Sequence, residues 1–465
     1  MSKIEVNEIV KSSGSTLTIG GSGTAVTLGS GATQSGFGRS GSVDWQTSSI
    51  KTSTFTAASG EGYFCNTSGG AFTVNLPAGS AGAIVAVSDY TRTFASNNLT
   101  ITPNGSEKIG GTAASATLTT NGQSATFVYV DGTEGWINVQ ETSSSVEGGT
   151  YITASGGNTV ATVGNCKVHT FTAPGTFTVC SVGNSPANNV ISYLIIGGGG
   201  AGGGGNQVSG DYEGGGGGAG GFREGKSPLT PYTASPLVTC GVTVSAQGYP
   251  ITIGAGGALA SSPHCETPGG QGGSSVAFSL TSTGGGGGGA RNTPSSPNYG
   301  GRPGGSGGGG GQADNPTHQG YFGAGNTPPV SPPQGNPGGK GNLNPNTPTA
   351  SGGGGGGGAT ALGGDSPVPH PDNIGGAGGA GATSTINNTP TARAGGGGGS
   401  GYNCSGAGGT GGGGTGSRYP SVAGTSGTAN TGGGGGGGGS GNNHPTRTPA
   451  GTGGSGIVII RYKFQ

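Results

Sequence analysis

The chain of 465 residues carries 17 lysines and arginines against 17 aspartates and glutamates, so its formal net charge at pH 7 is zero. This balance argues against a basic nucleic-acid-binding surface, and no apolar run reaches the roughly 18 residues that predict a transmembrane helix. The polar first residues, 1–7, do not resemble a signal peptide, which predicts synthesis in a cytosol. An uncharged surface rich in Ser, Thr and Asn suits a particle component released by lysis better than a metabolic enzyme.

Residues 1–44 contain short segments that alternate apolar and polar side chains. Residues 15–20 and 25–29 both alternate in this way and end at glycine, which is typical of strands. Each segment is too short to bury a core within one chain. We therefore predict a short N-terminal β stem in which several copies of the chain intertwine.

Residues 45–140 have the pattern of a small β domain. Strands are predicted at 72–76, 83–87, 99–102 and 125–130, with turns at Asn104-Gly105 and Asp131-Gly132. About a hundred residues with regular turns are typical of a small sandwich or barrel, with Trp136 in its core. The polar residues 141–149 that follow are predicted to be a linker.

Residues 150–196 begin a second β region. Segments 167–172 and 176–180 predict a hairpin around the turn at 173–176, and Cys166 and Cys180 flank it. In a reducing cytosol the expectation for Cys166 and Cys180 is two free, buried thiols, with Cys166–Cys180 and Cys240–Cys265 disulfides as alternatives. No segment shows helical periodicity, so the chain is predicted to be all-β apart from its glycine tracts.

The C-terminal part is dominated by pure glycine tracts. The longest are 197–200, 214–218, 284–289, 307–311, 352–358, 395–399 and 432–439. Glycine is costly to order, so one interpretation is a flexible linker. The other is a packed array of left-handed polyglycine II helices, with about three residues per turn and about 3.1 Å rise.

The sequences that flank the tracts favour the packed interpretation. Residues 193–196 form an apolar strand that enters the first tract, and 457–464 form another that leaves the last. A disordered tail seldom ends in such an aggregation-prone run. We predict that the strand at 457–464 pairs within its own domain, and that residues 150–465 form one domain of β-strands and packed polyglycine II helices.

Catalytic motifs are weak in this chain. Residues 195–202 match a strand followed by G-x-G-x-x-G, but no helix-forming sequence follows to hold a pyrophosphate. A glycosidase needs two facing carboxylates, and only Asp211 with Glu213 or Asp365 with Asp372 could supply them. These are more typical of solvated loop charges, and the histidines lack metal-ligand spacing. We therefore expect no catalytic residues, no metal and no cofactor.

With no catalytic site expected, we predict that the chain binds a partner molecule, because stiff supports with variable loops are a common way to build binding sites. Aromatic, His and Arg side chains in the segments between tracts supply stacking surfaces and directional hydrogen bonds. The proline-rich segment 312–351 is the strongest candidate loop, because proline lowers the entropy lost on binding. The candidate contact residues are Tyr299, His318, Tyr321, Phe322, His370, Tyr402, Arg418, Tyr419, His444 and Arg447.

Two stretches resemble known protein families. The N-terminal 140 residues resemble a module of tail-fibre proteins from marine and cyanobacterial tailed phages. The matching residues are 55–57, 60–63, 74–77, 88–90, 98–101, 104–105, 129–131 and 135–136. The second half resembles glycine-rich tail-fibre domains. Its matching residues are 168–172, 175–179, 193–196 with the glycines that follow, and 453–462.

The resemblance implies a virion tail fibre or adhesin that is assembled in the host cytoplasm. It further implies a homotrimer whose N-terminus joins a tail, baseplate or adaptor protein. A tip similar to polyglycine-sandwich adhesins would bind a host surface glycan or outer-membrane protein. Two alternatives stay open: a tailspike depolymerase that cleaves host polysaccharide, and a purely structural virion fibre.

Overall fold

The computed structural model describes residues 43–142, 150–204, 212–259, 268–290, 300–312, 321–342, 352–367, 373–440 and 448–465. It divides into two compact units, with the boundary between Gly148 and Gly149. Within the described ranges the chain forms strands and one short 3-10 helix, Pro186–Asn189, so the predicted all-β class is confirmed. No helix among these residues is long and apolar enough to span a bilayer.

The N-terminal unit is a sandwich of two sheets. Its strands are β1 (Asp44–Lys51), β2 (Phe55–Thr56), β3 (Glu61–Cys65), β4 (Phe72–Asn75), β5 (Ile84–Asp89), β6 (Leu99–Thr102), β7 (Ala116–Leu118), β8 (Ser124–Asp131) and β9 (Gly135–Thr142). One sheet has the order β1-β3-β5-β8-β9 and the other β2-β4-β6-β7. The first six strands alternate between the sheets, so that β1, β3 and β5 run parallel, as do β2, β4 and β6.

A single apolar core lies between these two sheets. Trp136, Phe94 and Phe127 are among its largest fully buried side chains, which confirms Trp136 as a core residue. The indole Nε1 of Trp136 donates to Oε2 of Glu107 at 3.1 Å, so its polar atom is satisfied.

The second unit contains the remaining strands. They are β10 (Thr153–Ser155), β11 (Thr159–Val163), β12 (Cys166–Phe171), β13 (Gly175–Ser181), β14 (Val190–Ile196), β15 (Tyr212–Glu213), β16 (Phe222–Lys226), β17 (Val238–Cys240), β18 (Val242–Thr243), β19 (Gly248–Ile251), β20 (Ser275–Ala277), β21 (Leu280–Ser282), β22 (Ala382–Ser384), β23 (Thr391–Arg393), β24 (Gly439–Ser440) and β25 (Ile457–Lys463). The largest sheet has the order β11-β12-β25-β14-β16-β17, and β18 also pairs with β14.

The strands that enter and leave the glycine region pair with each other. β14 and β25 are antiparallel, and Leu194 lies opposite Ile459. This confirms the prediction that the C-terminal strand pairs within its own domain. Alternate residues of β14 enter different cores, with Tyr193 on one face and Leu194 on the other. A strand buried on both faces is expected to have a nearly continuous apolar sequence, and β14 is apolar apart from Ser192.

The predicted hairpin around residues 173–176 is wrong. β12 pairs with β11 and β25, whereas β13 belongs to a separate sheet with β10 and β19. The chain turns a corner between two facing sheets, because Phe171 and Phe177 both insert into the core between them. Cys166 and Cys180 are both free, as is Cys240, but only Cys166 is buried, so the prediction of a buried thiol is wrong for Cys180. Cys265 lies outside the described residues.

The glycine tracts bond to one another through their backbones. In the central tract, residues 214–221, the N–H of Gly215 donates to Gly289, that of Gly216 to Gly354 and that of Gly217 to Gly435. The next three residues donate to the same three tracts in the same order: Gly218 to Gly286, Ala219 to Gly357 and Gly220 to Gly432. A repeat of three is the pattern expected of chains with three residues per turn. The handedness and rise of the tracts stay predictions.

Neighbours surround the central tract on all sides. It donates to the tracts at 284–289, 352–358 and 432–439, and accepts from three further tracts. The accepting bonds include those from Gly200 to Gly218, from Gly309 to Gly216 and from Gly397 to Gly217. The backbones lie so close that a Cβ on Gly217 would stand 2.1 Å from the carbonyl oxygen of Gly200. Only glycine fits such positions.

Candidate binding site at the distal end

Successive glycine tracts run in alternating directions. Gly197, next to the strand core, bonds to the carbonyl of Gly221, and at the other end of these two tracts Gly203 bonds to Gly215. We call the end beside the strands the proximal end and the opposite end the distal end. Gln312 and Asn342 also lie at the distal end, where their N–H groups bond to Glu213 and Gly352.

Two connections between tracts that the structure describes, at residues 402–405 and 418–422, lie at the distal end. Seven further segments between tracts lie outside the described residues: 205–211, 260–267, 291–299, 313–320, 343–351, 368–372 and 441–447.

The two described reversals bring three predicted contact residues together. The rings of Tyr402 and Tyr419 stack with their centroids 4.7 Å apart and their planes 15° from parallel. Backbone bonds hold the two turns: Gly401 donates to Ser417 at 3.1 Å, and Arg418 exchanges two 2.9 Å bonds with Val422. Both rings are half-buried and Arg418 is exposed. The result is a stacked aromatic pair whose second ring follows the exposed Arg418 directly in the sequence.

The other candidate residues are placed differently. Tyr321 and Phe322 are 63% and 41% exposed, and they lie on the tract that packs beside Gly301, whose N–H donates to the Tyr321 carbonyl at 2.8 Å. Five candidates fall outside the described residues: Tyr299, His318, His370, His444 and Arg447. The structure thus groups Tyr402, Arg418 and Tyr419 without joining Tyr321 or Phe322 to them.

The prediction of 312–351 as one loop is wrong for its described part. Residues 321–325 and 336–342 are tracts, with Gly323 and Gly338 bonded into the array. The turn between them lies at the proximal end, where the Asn326 carboxamide accepts from the N–H groups of Val330 and Gln334. Prolines fit there because a turn next to a packed tract needs few backbone donors.

The structure describes one member of each candidate carboxylate pair. Glu213 is only 1% exposed, so the expectation of a solvated loop charge is wrong for this residue. Oδ1 of Asp365 accepts a 2.7 Å bond from the N–H of Lys340. Asp211 and Asp372 lie outside the described residues. Within the part of the chain that the structure describes, no group of three or more His, Cys, Asp or Glu side chains could hold a metal ion.

A buried charged cluster, which the sequence analysis did not identify, lies at the proximal end. Glu224 accepts from Ser384 at 2.6 Å and from the N–H of Ser235 at 2.8 Å. Burial lowers the pKa of Arg393, and the Glu224 carboxylate acts in the opposite direction. Burial, followed by the Glu224 charge, raises the pKa of Tyr232. Glu224 and Arg393 join β16 to the β22–β23 hairpin and are structural, because both side chains are closed to solvent.

His169 is also buried, in β12 under the aromatic core. Its Nδ1 lies 2.7 Å from the carbonyl of Gly156, and its ring stacks on Tyr462 with centroids 5.6 Å apart. Burial lowers the pKa of His169 below the ordinary histidine value, with a smaller opposing effect from the Gly156 carbonyl. A neutral histidine bonded in this way stabilises the fold and is closed to a ligand.

Comparison with protein families identifies the larger unit. The model of the glycine-rich domain family matches residues 172–463, which is more than half of the chain. A comparison with curated proteins finds no similar sequence. The matched span contains the strands β14 and β25 and every glycine tract between them. The chain therefore belongs to the glycine-rich domain family.

Proposed function

We propose that the chain is a fibre or adhesin protein of a tailed-phage virion that binds a host cell-surface receptor with its distal end. In this proposal the N-terminal part joins the virion, as a homotrimer, through a tail, baseplate or adaptor protein. The observation that carries the receptor role is the stacking of Tyr402 on Tyr419 where the two described distal reversals meet, with the exposed Arg418 next to Tyr419 in the sequence.

The scaffold supports this role on physical grounds. Backbone hydrogen bonds between tracts run in several directions around each inner tract, so the reversals are mounted on a stiff support. Paired tyrosine rings offer a large contact area at low conformational-entropy cost, and arginine supplies directional donors. Preorganisation of this kind lowers the entropic cost of binding. The receptor class is a host surface glycan or an outer-membrane protein.

A weak affinity at each single site is enough for a virion to bind a host cell when several sites act together. If each fibre is a trimer, a second site engages at the high effective concentration set by the first. Avidity then exceeds one-site affinity by about 10² to 10⁴-fold. A stiff support keeps the sites in a fixed geometry, which simultaneous engagement requires.

A competition assay tests the proposal. The purified full chain is added to candidate host cells before phage, and we expect phage adsorption to fall as the chain occupies receptors. The Tyr402→Ala, Tyr419→Ala double variant is expected to compete at least about tenfold less well, as for the loss of a central aromatic contact. The matched control is Leu362→Ala, an exposed side chain (64%) in a proximal turn.

Three results would count against the proposal. A folded chain that neither binds cells nor slows adsorption favours a purely structural fibre. If the Leu362→Ala variant competes with phage as poorly as the tyrosine variant, the loss of competition is not specific to the distal end. Release of reducing ends from host polysaccharide by the chain alone would make it a depolymerase.

A further inference from the structure

A row of aromatic side chains lies on the outer face of the N-terminal unit. Trp45 in β1 is 39% exposed and Tyr90, directly after β5, is 57% exposed. Phe64 in β3 lies between them, with its ring centroid 5.0 Å from Trp45 and 6.4 Å from Tyr90. The core lies on the opposite face of this sheet, so the three rings take no part in it.

Local packing holds the row in place. Trp45 lies directly opposite Gly62 in the parallel β1–β3 pair. A Cβ on Gly62 would stand 2.8 Å from two atoms of the Trp45 ring, so the ring lies flat over the glycine. Phe64 is fixed in turn by the rings on either side. The row is a preorganised apolar strip and does not depend on flexible side chains.

Hydroxyl groups flank the strip across the sheet. Phe64 lies opposite Ser88, which lies opposite Ser124, and the two serine hydroxyls are 2.9 Å apart. On the side of Tyr90, the hydroxyl of Thr91 donates to the Asn66 carboxamide at 3.1 Å. The strip is thus bordered by neutral groups that both donate and accept hydrogen bonds.

We propose that the Trp45–Phe64–Tyr90 strip is a binding site for a neutral polysaccharide. A pyranose ring has an apolar face of C–H groups and a rim of hydroxyls, and the strip offers exposed aromatic rings bordered by hydroxyl and amide groups. The planes of Trp45 and Phe64 are 33° apart and those of Phe64 and Tyr90 are 68° apart, so the strip is a stepped apolar surface. Spacings of 5.0 and 6.4 Å between rings are comparable to the length of one sugar unit. The strip belongs to the N-terminal unit, and this proposal does not depend on the receptor role proposed for the second unit.

A polysaccharide fits this strip better than a second copy of the chain. A stable protein interface buries about 800 Å² on each partner around an apolar centre. Here the strip is only one ring wide, and the next residues across the sheet from Phe64 are the polar Ser88 and Ser124. A narrow apolar line between polar borders matches an extended polymer of hydroxylated rings.

Tryptophan fluorescence of the full chain provides the test. The chain has two tryptophans, and Trp136 is fully buried, so changes in emission on ligand addition report on Trp45. The probes are dextran, mannan and laminarin, used in titrations and in native gels that contain each polymer. We expect at least one to shift the emission and retard the chain, and Trp45→Ala or Tyr90→Ala to weaken binding about tenfold.

The matched control is Val139→Ala, which removes a side chain of the same 57% exposure from the far edge of the same sheet. It is expected to bind like the unaltered chain. The proposal is overturned if none of the three polymers binds, or if the Trp45 and Tyr90 variants bind as well as the control. It is equally overturned if acrylamide fails to quench Trp45, or if Trp45→Ala dissociates an oligomer in light scattering, since the strip would then be covered by protein.

Discussion

The backbone N–H of Gly217 donates to the carbonyl of Gly435 at 2.8 Å, although the two residues belong to tracts far apart in sequence. Gly217 also accepts from the N–H of Gly397 at 2.9 Å, so its peptide groups join three tracts. Bonds of this kind are possible because no side chain separates the backbones.

We expect Gly217→Ala to destabilise the second unit by about 3 kcal/mol, the upper end of the usual cost of overpacking, because the new methyl group has no space. It would stand 2.1 Å from the Gly200 carbonyl oxygen, an atom held by the array. Gly175→Ala is the control, since its Cβ would meet only the Phe171 ring at 3.4 Å. Denaturant unfolding should place the control within about 1 kcal/mol of the unaltered chain. Equal midpoints for both variants would contradict the close packing.

The buried Glu224 is predicted to stabilise the fold mainly by compensating Arg393. Glu224→Ala should lower the free energy of unfolding by about 3 to 5 kcal/mol, because a buried cation then loses its counter-charge. Replacing both residues by leucine should recover a large part of that loss. Arg223→Ala, a neighbouring and partly exposed cation, is the control and should cost less than about 1 kcal/mol. A double variant as unstable as Glu224→Ala would show that the charge pairing is unimportant.

His169 should make the fold less stable in acid. Its folded pKa lies below the value of about 6.5 expected in the unfolded chain, so below that pH the unfolded chain gains a proton that the folded chain does not. Stability is thus unaffected by His169 above about pH 6.5 and declines as the pH falls, by up to about 1.4 kcal/mol per pH unit. His169→Asn keeps a donor for Gly156 but does not titrate.

The check is the difference in unfolding free energy between about pH 7.5 and pH 5.5 for both chains. The asparagine variant should be less stable at the higher pH, because it loses the stacking on Tyr462, but its loss on acidification should be smaller. Identical pH dependence would rule out His169 as the titrating group.

The cysteines should differ sharply in reactivity. Burial, and then the neighbouring Asp89, raises the pKa of Cys65 to about 12, so almost no thiolate is present near neutral pH. Cys180, Cys240 and Cys404 are exposed. N-ethylmaleimide followed by peptide mass spectrometry should label these three in the native chain, and Cys65 only after unfolding. Native labelling of Cys65 as fast as that of Cys404 would contradict the described core.

The strands were predicted from the pattern of their side chains, because the buried positions of a strand are apolar and recur at a fixed spacing. The alternation at 72–76 and 99–102 identified β4 and β6, and the apolar runs around the glycine region identified the β14–β25 pair. The corner between β12 and β13 was missed, because a turn sequence is the same whether the next strand pairs with its neighbour or crosses to another sheet.

The site was less predictable than the strands. Tyr402 and Tyr419 were identified one by one as contact residues, but not as a stacked pair. Whether the two rings meet depends on which tracts are neighbours. The tracts consist almost entirely of glycine, so no side chain in them indicates which tracts pair. The alanines are an exception: Ala219 interrupts the central tract and is fully buried in the core beneath the largest sheet, so its methyl group fixes the register there.

The alternating course of the tracts has a consequence for variation. Each distal connection joins two tracts that are already held by bonds to other tracts, as Gly203 and Gly214 are held by Gly438. Lengthening such a connection costs little, because the closure entropy of a loop grows only slowly with its length. One such connecting segment can therefore be lengthened or replaced without a change in the hydrogen bonds between the tracts. The tracts themselves must stay glycine, so tolerance to sequence change is confined to the segments between them.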